Sequence, residues 1–313
     1  CPDLSGSTRK EQVTRMHSFP IEYIEPVFRP PSEAKSLILP VTNGCSWNRC
    51  TFCEMYTQPQ KKFRARRPED IRRDIERAGQ VLGNVRRVFL ADGDAMVLPT
   101  RRLLEILADL RRAFPDLQRV SSYCLPRNLA KKTVDELRQL KAAGLEILYV
   151  GMESGDDDVL RRVNKGETAE STRSALLKIR DAGLTSSVMV LNGLGGTALS
   201  RQHAINSARL CNDTQPDYLS TLVVTFPLGE ERFRAGFGAD FEPLSQQGLF
   251  EEIRLFLEHL ELERTVFRSD HASNYLVLKG VLGRDKQKLL AQVDLAITQP
   301  GAVPLRPEWM RGL

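Results

Sequence analysis

The sequence predicts an α/β fold built on a parallel sheet, and three observations carry that reading. Short apolar runs alternate with amphipathic stretches of helical period. Hairpin signals between them are almost absent, and the runs end in polar or glycine-rich segments. Parallel strands need crossover connections, which helices supply with a right-handed sense. Periodicity alone leaves a barrel and a doubly wound sheet both open. The length, 313 residues, is ordinary for a (β/α) barrel, and 41% hydrophobic with 27% charged residues describes a chain able to bury a sizeable core.

Taken in order, residues 1–35 are polar and punctuated by proline as far as Phe28-Arg29-Pro30-Pro31-Ser32-Glu33. They read as an extended N-terminal arm, with Arg29 and Glu33 in a surface ion pair. A core follows over 36–245 and a C-terminal extension over 246–313. The first strand is the apolar run at 36–41. Pro68-Glu69-Asp70 opens a helix that turns Ile71, Ile75, Ala78 and Leu82 to one side. Residues 87–91 form a buried strand running into Asp92-Gly93-Asp94. Leu103, Leu107, Leu110 and Phe114 mark the next helix, and 119–124 the next strand. Thr133 and Glu136 make a capping box for a third helix. Ala143-Gly144-Leu145 and Ala182-Gly183-Leu184 are left-handed helix stops. They precede strands at 146–150 and 187–191, and a sixth strand lies at 218–224. A helix at 246–262, two short β-like pieces around a polar tip within 265–280, and a helix at about 284–297 complete the chain.

The chemistry concentrates in Gly44-Cys45-Ser46-Trp47-Asn48-Arg49-Cys50-Thr51-Phe52-Cys53, directly after the first strand. Thiolates hold iron–sulfur clusters or zinc. Three ligands leave a cluster one iron free, whereas a structural zinc needs a fourth ligand, from Cys1, Cys124 or a histidine. Six cysteines with three of them grouped do not form a disulfide framework, and they point to a reducing cytoplasm. The net charge of +5 permits an anionic substrate or nucleic acid without demanding either, and Lys61–Arg67 is the stretch that favours nucleic acid, although with Phe63 its one aromatic it reads more readily as a solvated or cofactor-facing basic loop. No apolar run approaches the roughly 18 residues of a membrane span. The N-terminus carries no signal-peptide pattern.

The cysteine loop resembles the cluster-binding loop of the radical S-adenosylmethionine (SAM) enzymes, with Phe52 in the aromatic place before the last cysteine. Its spacing, four residues then two, departs from the family's three then two. The resemblance covers about 36–245. It implies a partial (β/α)6 TIM-like barrel with parallel strands, besides the N-terminal arm and a small C-terminal α+β extension. It implies that Cys45, Cys50 and Cys53 hold a 4Fe–4S cluster. Asp92, Gly93 and Asp94 stand where the family's Gly-Gly-Glu motif cradles the methionine part of SAM. Glu153 and Ser154, in Gly151-Met152-Glu153-Ser154-Gly155, are placed to hydrogen-bond SAM, and Asn192 and Gly193 to lie against its adenine.

Within Val163-Asn164-Lys165-Gly166, which is also similar to the family, Lys165 reads at least as readily as a solvated lysine. Phe226-Pro227-Leu228-Gly229 is expected to border the substrate. His271, in a segment expected to cap the barrel mouth, is the candidate acid, base or anchor. The implied activity is reductive cleavage of SAM to a 5′-deoxyadenosyl radical that takes hydrogen from a substrate the residues do not identify. A small electron-donor protein of the flavodoxin or ferredoxin type is the implied partner. A second cysteine cluster and a cobalamin-binding segment are both missing, which weighs against methylthio transfer and cobalamin-dependent methylation. The competing reading is a non-catalytic iron–sulfur electron-transfer or sensor protein.

Overall fold

Helical spacing of apolar residues and short β-branched or aromatic runs sort this chain into alternating layers, seen in a computed structural model that describes residues 19–312. The remainder of the expected arm, with Cys1 as an expected zinc ligand, lies outside the described residues. In chain order the elements are β1 (Leu37–Pro40), β2 (Thr42–Asn43), β3 (Arg64–Ala65), α1 (Pro68–Val81), β4 (Arg87–Ala91), α2 (Thr100–Ala113) and β5 (Arg119–Cys124). Next come α3 (Val134–Ala142), β6 (Leu145–Glu153), α4 (Asp157–Arg162), α5 (Ala169–Asp181), β7 (Thr185–Asn192), α6 (Gly196–Thr214) and β8 (Tyr218–Val223). Then follow α7 (Glu231–Phe237), α8 (Gln246–His259), β9 (Val266–Ser269), β10 (Leu278–Val281) and α9 (Lys286–Thr298).

One sheet runs in the order β1-β4-β5-β6-β7-β8-β9-β10, and every neighbouring pair is parallel except the last. This is the partial barrel, extended by two strands beyond the six that the sequence suggested. The two β-like pieces of the C-terminal segment do not stand apart: β9 pairs with β8, and β10 closes the edge antiparallel to β9. The expected caps form. Thr133 Oγ1 accepts from the Glu136 amide at 3.1 Å while the Thr133 amide donates to Glu136 Oε2 at 2.8 Å. Gly183, at φ +74°, ends α5 with the Leu184 amide reaching back to the Ile179 carbonyl.

Alternation along the strands decides what faces where. Val88, Leu90, Val120, Leu148, Val150, Val188 and Val190 join the large core under the helices. The opposite face of the same strands stacks Phe89, Tyr123 and Tyr149 edge to face, with ring centroids 5.0 to 6.3 Å apart. At the N-terminal end of the barrel Glu33 is fully buried. It accepts hydrogen bonds from Arg119 at 2.9 Å and from the Tyr149 hydroxyl at 2.6 Å. The expected surface pair with Arg29 is therefore replaced by an internal plug, because a carboxylate next to β1 reaches Arg119 at the root of β5. Among the described residues no helix is long and apolar enough to cross a membrane.

Candidate functional site

Every strand-end segment with chemical potential lies on the opposite, C-terminal side of the sheet, where loops of a parallel barrel are free to vary. The cysteine loop leaves β1 through β2 and returns through β3, and this two-stranded ribbon pins its base. Gly44 sits at φ +75°, and a Cβ there would fall 2.0 Å from the Lys61 carbonyl oxygen. Gly93, at φ +88°, packs its own face 2.5 Å from the Gly44 carbonyl oxygen by the same measure, so the 92–94 turn is pressed directly under the cysteine loop. The longer first gap is accommodated at Asn48, which is left-handed (φ 45°) and donates its side-chain amide to the Tyr56 carbonyl at 2.7 Å. Trp47 turns outward under the Arg127 guanidinium, 4.0 Å from the ring centroid, and its indole donates to the Asn164 carbonyl.

Cys45, Cys50 and Cys53 are free and half-buried. Burial raises all three thiols, Cys50 up to about 12, and Lys165 opposes the rise at each. The three thiols act on one another electrostatically. Among the described residues, however, no three histidine, cysteine, aspartate or glutamate side chains are gathered on a point to hold a single ion. Cys124 and Cys211 are wholly buried elsewhere.

Two lysine–carboxylate pairs flank this loop. Asp92, after β4, takes Lys61 on Oδ2 and accepts from the Tyr56 hydroxyl on Oδ1 at 3.1 Å. Burial still pushes its carboxyl up, against the pull of Lys61. Lys61, part of the stretch read as solvated, is instead 1% exposed, and its neighbours Arg66 and Arg67 pair with Asp74 and Asp70. Glu153, at the end of β6, meets Lys165 at 3.0 Å, both 5% exposed. Lys165 is thus no surface lysine. Burial lowers its pKa, but the Glu153 carboxylate and the Cys50 thiol outweigh that and hold it above its ordinary value.

Glu153 occupies the left-handed region at φ 63° and folds its carboxylate over Gly151, where a Cβ would lie 2.1 Å from Oε1. Its other oxygen, Oε2, is buried without a partner, and so is Oδ1 of Asp94, whose Oδ2 accepts from the Ser46 hydroxyl. Burial raises the Asp94 carboxyl, against the Ser46 hydrogen bond.

The remaining predicted residues are distributed more widely. Ser154 turns away from the loop into α6, with Oγ 2.8 Å from His203 Nδ1. Asn192 is buried at the end of β7, where its carbonyl accepts from the Val224 amide. Gly193, at φ 82°, gives its amide to Glu252. His271 lies beyond β9, its Nδ1 accepting from the Ser273 amide at 3.2 Å. Burial and Arg306 lower its pKa, so the ring is neutral at pH 7.

Phe52 packs against a second, smaller core of Val159, Val163, Leu191, Leu194, Phe233, Phe237 and Phe241. Helix α7 supplies most of those rings and lies over the loop, with Arg232 donating to the Cys53 carbonyl. Sequence reasoning missed this cap, although Phe233, Phe237 and Phe241 recur at a spacing of four, the signal of a short buried helix face. It also missed Trp47, Arg127, His203 and Glu252.

Comparison with known proteins adds the family. The model of the radical SAM superfamily matches residues 39–211, which takes in every predicted site residue except His271. The curated proteins include the 4′-phospho-dehydrooxetanocin synthase of Priestia megaterium. It is 27% identical over 168 residues, 48% of this chain and 22% of that protein. They also include the heme chaperone HemW of Bacillus subtilis (strain 168), 21% identical over 166 residues, 51% of this chain and 43% of that protein. Among solved structures, coproporphyrinogen III oxidase (HemN) from Escherichia coli, a radical SAM enzyme, superposes with a TM-score of 0.55 at 20% identity, over 71% of this chain and 52% of that one. That likeness is one of fold. The chain spans less than half the length of these curated relatives and about half that of HemN.

The chain belongs to the radical SAM superfamily, whose members use a 4Fe–4S cluster and SAM. The residues fit both: three thiols for the cluster, and two buried carboxylate oxygens, on Asp94 and Glu153, that lack a donor among the described residues.

Proposed function

We propose that this superfamily member cleaves SAM reductively and directs the resulting radical at a substrate in the barrel mouth. One observation carries the reading: three thiols after β1 lie close enough to feel two buried carboxylates, after β4 and at the end of β6, each with one oxygen unpartnered among the described residues. Cys45, Cys50 and Cys53 would hold the 4Fe–4S cluster, which when bound supplies the electron that splits SAM into methionine and a 5′-deoxyadenosyl radical.

The chain's own residues do the rest. Glu153 Oε2 and Asp94 Oδ1 accept hydrogen bonds from the ammonium or hydroxyl groups of SAM, relieving a desolvation cost of about 1–3 kcal/mol each. Lys165 pairs with Glu153 and favours the thiolate form of all three cysteines. Asp92 is filled internally and serves by holding the Gly93 turn under the loop. The Asn192 side-chain amide and the Gly193 carbonyl are the groups these turns offer to the adenine, since the Gly193 amide is held by Glu252. Phe52 and the rings of α7 keep water from the loop. His271, neutral and with Nδ1 occupied, presents Nε2–H to the substrate. Exposed Arg49, Lys62 and Arg64 on the loop give an acidic flavodoxin- or ferredoxin-type donor a complementary face. Free thiols among the described residues favour a reducing, cytoplasmic setting.

The test is anaerobic. The reconstituted protein, reduced with dithionite and given SAM, should form 5′-deoxyadenosine, and Cys50→Ala should lose both bound iron and product. Iron bound without SAM cleavage would replace catalysis with the electron-carrier or sensor reading.

A further inference from the structure

Behind the two glycine-bearing turns runs a buried polar chain that the proposed chemistry does not use. One face of α6 meets the turn after β6 with four polar side chains at helical spacing, Gln202, His203, Asn206 and Ser207. Gln202 and Asn206 donate to the Asp156 carboxylate at 3.0 and 2.7 Å. Ser207 Oγ accepts from the Gly155 amide at 2.8 Å, and a Cβ on Gly155 would stand 2.4 Å from the Asn206 carbonyl oxygen. Ser154 Oγ accepts from the Asp156 amide and also pairs with His203 Nδ1 at 2.8 Å, which leaves Nε2 on the far side of the ring.

That nitrogen faces Glu252 Oε1, 3.9 Å away, beyond hydrogen-bond distance. Glu252 Oε1 in turn accepts the Gly193 amide at 2.6 Å. His203 and Glu252 are 1% and 3% exposed, and burial raises the Glu252 carboxyl while His203 opposes it. Two ionisable side chains at that depth are costly compared with a pair of leucines. What they secure is specific. The Gly193 amide would otherwise be an unpaired buried donor, and the Ser154 hydroxyl would lose its His203 partner.

We propose that His203 and Glu252 are positioning residues for SAM, locking the Glu153-bearing turn after β6 to the Asn192–Gly193 turn after β7 so that the nucleoside is gripped at one fixed spacing. The proposal rests on the SAM site described above. Neither residue reaches the ligand. Both act through the backbone of turns that do. Glutamine at 252 keeps an oxygen for the Gly193 amide, whereas alanine removes it.

The experiment uses the cluster-loaded protein with SAM as the probe, reading SAM affinity by equilibrium dialysis, bound iron, and amide exchange at 151–156 and 192–196. Glu252→Ala should weaken SAM about tenfold with iron content unchanged. It should also accelerate exchange in both turns, including the one it does not touch. Glu252→Gln should restore affinity to within about threefold and Gly193 protection with it. Ser154→Ala, a smaller change that keeps the carboxylate, should loosen the same two turns even if Glu252→Ala fails to fold. Unaltered affinity in Glu252→Ala, or exchange confined to 192–196 in every variant, overturns the coupling. If the unsubstituted protein holds iron yet binds no SAM, the functional reading itself falls, and this proposal with it.

Discussion

Lys61–Asp92 and Lys165–Glu153 are near twins in chemistry and opposites in construction. Both are buried ion pairs at the C-terminal end of a strand, and both flank the cysteine loop. At Asp92 each oxygen has a donor, and Lys61 spends a further proton on the Ile24 carbonyl. At Glu153 one oxygen is left without a partner, and the residue is held in a left-handed conformation. An orphaned buried oxygen and a non-glycine residue at positive φ each cost about 1–3 kcal/mol. A pair kept only for stability gains nothing from either. On the proposed reading the closed pair fixes the scaffold and the open one is kept for SAM.

The sharpest way to break that contrast is Glu153→Gln. On the proposed reading it lowers kcat/KM for SAM cleavage by about a hundredfold, the scale of removing one preorganised electrostatic contact. Chromatographic assay of 5′-deoxyadenosine measures it. Asp92→Asn is the control and should behave in the reverse sense. It leaves the Lys61 ammonium buried without its counter-charge, so urea unfolding should show a loss of about 3–5 kcal/mol. The protein that remains folded should bind SAM within about threefold of the original. A larger SAM defect in Asp92→Asn than in Glu153→Gln would erase the distinction between the two pairs.

The smallest effect asks how far the open region extends. The His271 pKa is lowered below its ordinary value of about 6.5. Its contribution to the 270–275 loop is therefore complete above that pH and lost as pH falls through the lowered value. Amide exchange in the loop, divided by the intrinsic rate at each pH, should quicken on the acid side, and His271→Asn should flatten that corrected dependence. A wild-type profile that is flat from pH 7 to pH 5 would refute it.

Much of this was legible in the chain. Strands β4 and β5 fall on the residues that the apolar runs marked, because a buried strand is written in consecutive residues. The capping box at Thr133 and the glycine stop at Gly183 are equally local. Helix α6 was not named, since the face it turns inward is polar where it meets 154–156 and so leaves little helical alternation to read. Lys165 and Lys61 were read as solvated because lysine is rarely buried, a rule that gives way when a carboxylate is delivered beside it.

The sequence by itself determined the alternation of strands with helices and the grouping of three cysteines after the first strand, with the glycines that let turns approach one another, because each rests on neighbours within a few residues. The tertiary structure alone decided which carboxylate is closed and which open, that α7 caps the loop, and that two turns share one buried tether. Those depend on groups far apart in the chain: Lys61 from Asp92 by 31 residues, Ser154 from His203 by 49, and Gly193 from Glu252 by 59. Charge and hydrogen bonding are set by distance in space, and only the packed barrel brings those residues within reach.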